Sequence, residues 1–184
     1  GGTFIGFNPA NVNEAHGAIT SFVAEGYKSV KVSDSPETWE VQDASVSAAT
    51  QEEFTSVVAE AGAKVVLAAG TYSAPSTIAD GVIIEGVAGT VIDIPAAVAY
   101  HDKNIKFKSL TVKSPNANYT GIQHAASVKY EDCTIEGQPF SYATEAVYEN
   151  CKFVQTSNDA YNIWTYGSKN ITFNNCEFNC AGKA

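Results

Sequence analysis

A short pattern that recurs along the second half of this chain constrains its fold more than any other feature. Each copy has an apolar residue, an aromatic residue two places later, Leu or Cys three places after that, and an apolar residue two places on. Full copies occupy 105–112, 128–135, 146–153 and 171–178, and weaker copies begin at Val65 and Val82. The six copies start 17, 23, 23, 18 and 25 residues apart, so one structural unit repeats along the chain.

Within each copy the apolar residues alternate and then change phase once. Alternation predicts a short strand with one buried face. A residue suited to a bend, because Asn and Asp tolerate left-handed backbone, stands at each phase change. These residues are Ser109, Asp132, Asn150 and Asn175. A strand–bend–strand unit of this length predicts one coil of a parallel β-helix, in which equivalent side chains stack from coil to coil.

Two stretches carry a resemblance to a known family. Val65-Val-Leu-Ala-Ala-Gly-Thr-Tyr72 is similar to the first coil, and Asn170-Ile-Thr-Phe-Asn-Asn-Cys-Glu-Phe178 to the repeating coil, of right-handed parallel β-helix proteins of the pectate-lyase-like superfamily. The resemblance covers about 65–184 and implies a mainly β fold, a right-handed parallel β-helix solenoid. Because the superfamily holds lyases, hydrolases, phage tailspikes and non-catalytic surface proteins, the resemblance implies little about function.

An amphipathic helix is predicted ahead of the first coil. Thr50 and Glu53 form a capping-box pattern, and apolar residues from Phe54 to Ala61 follow at helical spacing. We expect this N-terminal capping helix at about 50–61 to cover the end of the solenoid, because an uncovered strand invites edge pairing. The β-helix domain is assigned to 44–184, with its coils starting at about 65.

Residues 1–43 are expected to form a separate anchoring or docking unit. Strands are predicted at Thr3–Phe7, Tyr27–Val32 and Thr38–Val41. Asn8-Pro9 starts a helix between the first two strands, since proline is favoured at the first helical position. The result is a small N-terminal β-α-β unit that docks on the solenoid, a partner chain or a larger assembly, because a unit this small is marginal alone.

Composition argues against two classes of partner. The chain has 20 acidic and 11 basic residues and a net charge of −9, whereas nucleic-acid binders are normally basic because they neutralise phosphates. No apolar run reaches about 18 residues, so no membrane insertion is expected. All 11 basic residues are lysine, so the chain contains no arginine.

The acidic residues do not match the chemistry common in the superfamily. Glycoside hydrolysis needs two carboxylates across the scissile bond. The candidate carboxylates are instead scattered: Asp80, Asp93, Asp102, Asp132 and Asp159. The resemblance also implies an arginine beside acidic calcium ligands in a pectate-lyase-type enzyme, and this chain has none. We therefore predict that the protein is not an enzyme. The alternative is a polysaccharide lyase or glycoside hydrolase fragment, and a lyase based on lysine, tyrosine or histidine stays open.

Three cysteines fill one slot of successive coils: Cys133, Cys151 and Cys176. Leu110 fills the same slot one coil earlier, which a metal site would not permit. We interpret the slot as an internal stack of small apolar side chains rather than a metal or redox site, since buried cysteine packs as an apolar residue. Cys180 follows Cys176 in a C-x-x-x-C spacing, which leaves a disulfide between them open. No metal and no cofactor are expected.

Aromatic side chains are the remaining candidate site. Tyr161, Trp164 and Tyr166 lie in an alternating stretch that leaves large rings free to point outward. Residues at related positions of earlier coils are Tyr119, His124 and Tyr142. An exposed row of rings beside Asn and Gln would bind a glycan, whereas the same rings could instead pack in the solenoid or under a loop. His16, His101 and His124 match no catalytic motif and are expected at surface or capping positions.

These features favour a non-catalytic structural or adhesive protein of a virion, as a fibre, spike or decoration, or of a bacterial surface. The expected location is therefore the virion or the outside of a cell. After Phe178 the sequence has no helix or charged strand that would close the last coil. We therefore expect either that other copies cover this coil, most simply in a homotrimer, or that the chain is the front part of a longer β-helix.

Overall fold

The computed structural model describes residues 2–12, 21–116, 120–138, 140–161 and 167–181. The chain divides into two compact units, Gly1–Ser45 and Val46–Ala184. The first contains strands β1 (Thr3–Ile5), β2 (Tyr27–Asp34) and β3 (Glu37–Asp43). The second contains the helix α1 and all the remaining strands, and it carries the candidate site.

The N-terminal unit is an antiparallel sheet in the order β1-β3-β2. The three predicted strands are present, but the β-α-β unit is not confirmed, because β1 and β2 each pair with β3 and not with each other. The described residues 9–12 and 21–24 are not helical. The rest of the predicted helix, with His16, lies outside the described residues.

The second unit is a parallel β-solenoid of about five turns. One sheet stacks β16, β14, β12, β10, β7, β5 and β4, and a second stacks β17, β15, β13, β11, β8 and β6. The strands of the first sheet are β4 (Val46–Ala48), β5 (Lys64–Leu67), β7 (Val82–Gly86), β10 (Asn104–Lys108), β12 (Gly121–Glu131), β14 (Phe140–Glu149) and β16 (Asn170–Asn174). Those of the second are β6 (Gly70–Ser73), β8 (Thr90–Asp93), β11 (Thr111–Lys113), β13 (Thr134–Glu136), β15 (Lys152–Gln155) and β17 (Glu177–Cys180).

The sequence pattern becomes ladders of equivalent side chains. The aromatic slot places Phe107, Tyr130, Tyr148 and Phe173 in register on neighbouring strands. Their rings stack nearly parallel, with successive centroids 5.3, 4.8 and 5.1 Å apart. Inside the stack the hydroxyls of Tyr148 and Ser141 lie 2.7 Å apart, so the buried phenol has a hydrogen-bond partner.

The predicted bends between the two sheets are confirmed. Ser109, Asp132, Asn150 and Asn175 all adopt left-handed backbone, with φ between 51° and 54°. The side chains of the last three form a ladder, since Asn175 Nδ2 donates to Asn150 Oδ1 at 2.8 Å and Asn150 Nδ2 donates to Asp132 Oδ1 at 3.2 Å. The polar residue at the phase change therefore fixes both the backbone bend and the contact between coils.

A third face of the solenoid carries the candidate site. The short strand β9 (Ala97–Ala99) pairs in parallel with residues 121–123 of β12. The first half of β12 pairs in turn with the start of β14. The strands predicted between the ladders at 120–124 and 140–143 therefore exist, whereas the stretch 162–166 lies outside the described residues.

The start of the solenoid differs from the prediction. The first strand of the stack is β4, so the parallel sheet begins at Val46 and not at about 65. The helix α1 spans Gln51–Val57, shorter than the predicted 50–61, and its capping box between Thr50 and Glu53 is formed. The Gln51 side-chain amide bonds both the carbonyl and the N–H of Ser73 in β6, at 3.1 and 2.8 Å. A role for α1 as the cap of the solenoid stays a prediction.

Candidate functional site

The structure brings together two of the predicted site residues and adds a third. The rings of His101 and His124 stack 4.9 Å apart at an interplanar angle of 9°, and Tyr142 meets His124 edge-to-face at 4.7 Å. Both histidines are exposed and Tyr142 is half-buried. We call these three residues the histidine–tyrosine shelf.

The other predicted site residues do not join the shelf. Tyr119, Trp164 and Tyr166 lie outside the described residues. Tyr161 is 42% exposed but does not line the cavity at the shelf. Its backbone is held by two buried glutamines, since its N–H donates to Gln138 Oε1 at 3.0 Å and its carbonyl accepts from Gln155 Nε2 at 3.2 Å.

Coil spacing explains the position of the shelf. His101 and His124 are 23 residues apart and His124 and Tyr142 are 18 apart, the same intervals that separate the copies starting at 105, 128 and 146. Sequence reasoning overlooked His101, although this interval could have found it. The same arithmetic places Gly167 next, 25 residues after Tyr142.

A backbone irregularity presents His124 to solvent. The pairing of β12 with β14 shifts register between Gln123 and Ala125, and His124 has a φ of 60°. In the previous coil Asp102 has a φ of 58°, and its N–H donates to the His124 carbonyl at 3.0 Å. Matching left-handed residues in adjacent coils thus make one bulge, which lifts the imidazoles out of the alternating pattern of the strand.

Gly167 supports the tyrosine end of the shelf. A Cβ at this position would lie 2.2 Å from the Tyr142 ring, and its φ of 85° favours glycine. The next residue, Ser168, donates a hydrogen bond from its hydroxyl to the Ser141 carbonyl. The Lys169 N–H donates to the Ala143 carbonyl at 3.3 Å. Residues 167–169 therefore hold the backbone on both sides of Tyr142.

The shelf borders a cavity of about 220 Å³. Its lining includes both imidazoles and the phenol, together with Asp102, Thr144 and Lys169. Because His101 and His124 face one another, their opposed ring faces are occupied by the stack. The ring nitrogens, the phenol, the Thr144 hydroxyl and the two charged groups supply both donors and acceptors of hydrogen bonds. Such a set suits a ligand rich in hydroxyl groups.

The carboxylates are not arranged for hydrolysis. Asp102 is the one carboxylate among the described residues that line this cavity. Asp80 accepts from the backbone N–H and the side-chain amide of Asn104 at 2.7 and 3.0 Å, and these bonds lower the pKa of the Asp80 carboxyl. Asp132 belongs to the bend ladder. The scattered acidic residues therefore have structural partners and do not form a catalytic pair.

The cysteine slot forms a ladder of free thiols. Cys133 and Cys151 are 2% and 1% exposed, and Cys176 and Cys180 are half-buried. Each thiol in the slot donates to the carbonyl two residues earlier, at 3.2 to 3.4 Å, and Cys151 and Cys176 also bond a carbonyl of the preceding coil. Cysteine thus packs as leucine does at this position and also contacts the carbonyls of the bend. The disulfide left open between Cys176 and Cys180 is not formed.

Thiol alkylation is expected to follow burial. In the native protein we expect iodoacetamide to label Cys176 and Cys180 slowly and Cys133 and Cys151 hardly at all. Burial raises the pKa of the Cys176 and Cys180 thiols, and contact with Cys151 together with burial raises that of Cys133. Peptide mass spectrometry of timed samples, with a denatured sample as the control, measures the order. Labelling of Cys133 as fast as that of Cys180 would contradict it.

Within the described ranges, no group of three or more His, Cys, Asp or Glu side chains could hold a metal ion. No helix in the same part of the chain is long and apolar enough to cross a membrane. No family model matches the chain, and no curated protein or solved structure matches it. The pectate-lyase-like family and the right hand of the solenoid therefore stay predictions from the coil motifs.

Proposed function

We propose that this chain is a non-catalytic adhesive solenoid whose histidine–tyrosine shelf binds a glycan. The observation that carries the proposal is the convergence of three rings and two charged groups on one surface cavity of the rigid third face. Polar groups fixed on strands present a preorganised set of hydrogen-bond partners, which limits the entropy lost when a ligand binds. The shelf binds through ring edges and polar atoms more than through the stacking of sugars on open ring faces.

The same proposal places the protein on a virion, as a fibre, spike or decoration, or on a bacterial surface. A right-handed β-helix of the pectate-lyase-like class would serve there as a stiff support for the shelf. The homotrimer or larger assembly predicted from the sequence belongs to this proposal. Its support is apolar surface on the last described coil, where Phe173 and Phe178 are 39% and 51% exposed and neighbouring copies would cover them.

Glycan screening followed by calorimetry tests the proposal. We expect at least one oligosaccharide from a bacterial surface or capsule panel to bind, and H101A and H124A each to weaken its affinity by about tenfold, a loss of roughly 1.4 kcal/mol. The matched control is Y161A, which removes an exposed aromatic ring outside the cavity and should bind as the wild type does. Absence of binding across the panel at millimolar concentration, or equal binding by all variants, would overturn the proposal.

A polysaccharide lyase is the second candidate, because His124, Tyr142 and Lys169 place three groups capable of proton transfer at one cavity. Incubation with pectin, alginate and capsular polysaccharides, followed by detection of unsaturated ends, separates the two functions. We expect no product. Turnover that is lost in Y142F but kept in Y161F would establish the lyase and reject the non-catalytic assignment.

A further inference from the structure

The N-terminal unit has an apolar surface that its own sheet does not bury. Apart from Pro9, none of its described apolar side chains is buried. Phe7, Phe22 and Tyr27 are 43%, 50% and 42% exposed. Phe4 stacks on Phe22 at 6.4 Å, and Phe7 meets these two rings at 5.6 and 6.4 Å. The rings therefore form one cluster, which lies on the surface of a three-stranded sheet.

This cluster borders a shallow groove of about 270 Å³. Its lining is Gly2, Phe4, Phe22, Ala24, Tyr27 and Val41. We call these six residues, with Phe7, the phenylalanine patch. None of the seven is charged, although the whole chain has a net charge of −9.

We propose that the phenylalanine patch is an interface at which a second copy of this chain docks face to face. The lack of charge selects the partner. Two chains of net charge −9 repel one another unless they meet where both are uncharged, and the patch provides such a place. A basic partner would instead be recognised by acidic side chains within the contact, and the patch offers none.

The size of the patch fits the centre of such an interface. An aromatic side chain buries about 150–250 Å², so three half-exposed rings offer on the order of 300 Å². A standard interface covers about 800 Å² on each partner, with an apolar centre inside a polar rim. Self-association also suits a patch made of one residue type, because a twofold contact brings identical surfaces together.

The edges of the sheet are less suited to the contact. The edge strand β2 carries Lys28 and Lys31, and lysine on an edge strand disfavours pairing with another strand. Lys31 also forms an ion pair with Asp34 at 2.7 Å, which a docking strand would disturb. The partner therefore meets the aromatic face and not the edge.

Sedimentation velocity across a wide range of protein concentration tests the interface. We expect the wild type to associate and F22D to associate about 30-fold more weakly, the effect of losing a central aromatic side chain. V32D is the matched control, since Val32 is 47% exposed in the same unit and lies outside the patch. Circular dichroism and the fluorescence of Trp39 establish that both variants keep the fold.

Two results would overturn the interface. Equal association by the wild type, F22D and V32D would assign the contact to another surface, such as Phe173 and Phe178. A wild type that stays monomeric, with the patch protected from solvent in hydrogen exchange, would show that the chain covers the patch itself. Glycan binding by F22D should equal that of the wild type, so failure here is distinguishable from failure of the proposed function.

Discussion

Replacing Gly137 with alanine is expected to destabilise the solenoid by about 3–5 kcal/mol. This glycine has a φ of 88°, and a Cβ at its position would lie 1.8 Å from the Ser114 carbonyl oxygen of the preceding coil. Because the obstacle is backbone, the clash can be relieved only by moving two coils apart. Unfolding in guanidinium, followed by far-ultraviolet circular dichroism, measures the loss.

Gly62 provides the control for this substitution. Its φ is 70°, and no atom lies within 4 Å of the position of its Cβ. G62A therefore reports the cost of left-handed backbone alone, about 1–2 kcal/mol. The difference between the two variants is the cost of the contact between coils. A G137A protein as stable as G62A would show that the coils separate there without strain.

Replacing Tyr148 with alanine is expected to cost about 3–5 kcal/mol. The side chain is 1% exposed, and its ring is stacked between those of Tyr130 and Phe173, at 4.8 and 5.1 Å. Alanine would remove the centre of the aromatic ladder and leave a cavity that neighbouring coils cannot close. The free energy of unfolding in guanidinium measures this effect as well.

Two further variants separate packing from hydrogen bonding at this position. Y148F keeps the ring but loses the bond to Ser141, and we expect it to cost about 1–2 kcal/mol because the Ser141 hydroxyl is buried. F173A removes a ring of the same ladder that is already 39% exposed, so its cost should be well below that of Y148A. Equal destabilisation by Y148A and F173A would contradict the argument from burial.

Coil spacing made the solenoid predictable, yet it did not reveal the whole candidate site. His124 and Tyr142 were identified from their places between the ladders, but their contact depends on a bulge. That bulge arises from the paired left-handed residues Asp102 and His124, and no local pattern at either residue announces it. Gly167 likewise carries no signal of its own, because its role is defined by the Tyr142 ring one coil away.

The N-terminal third shows the opposite balance. Alternating apolar residues gave the strands of the first unit, but strand partners depend on contacts distant in sequence, and the observed sheet is antiparallel. The strand β4 was missed because its three residues are too few to show a period. Its pairing with β5 is made through the long connection that contains α1.

The sequence by itself determined the repeating coil, its bends and the stacking of its aromatic and cysteine slots. It could do so because each of these is a local pattern repeated at the coil interval, and stacking in register turns repetition into contact. Only the tertiary structure decided where the stack begins, how the first three strands pair, and that His101 joins His124 and Tyr142. Those features depend on the approach of backbone segments in different coils, on a shift of one residue in register and on the room left by a missing side chain, which a linear pattern does not encode.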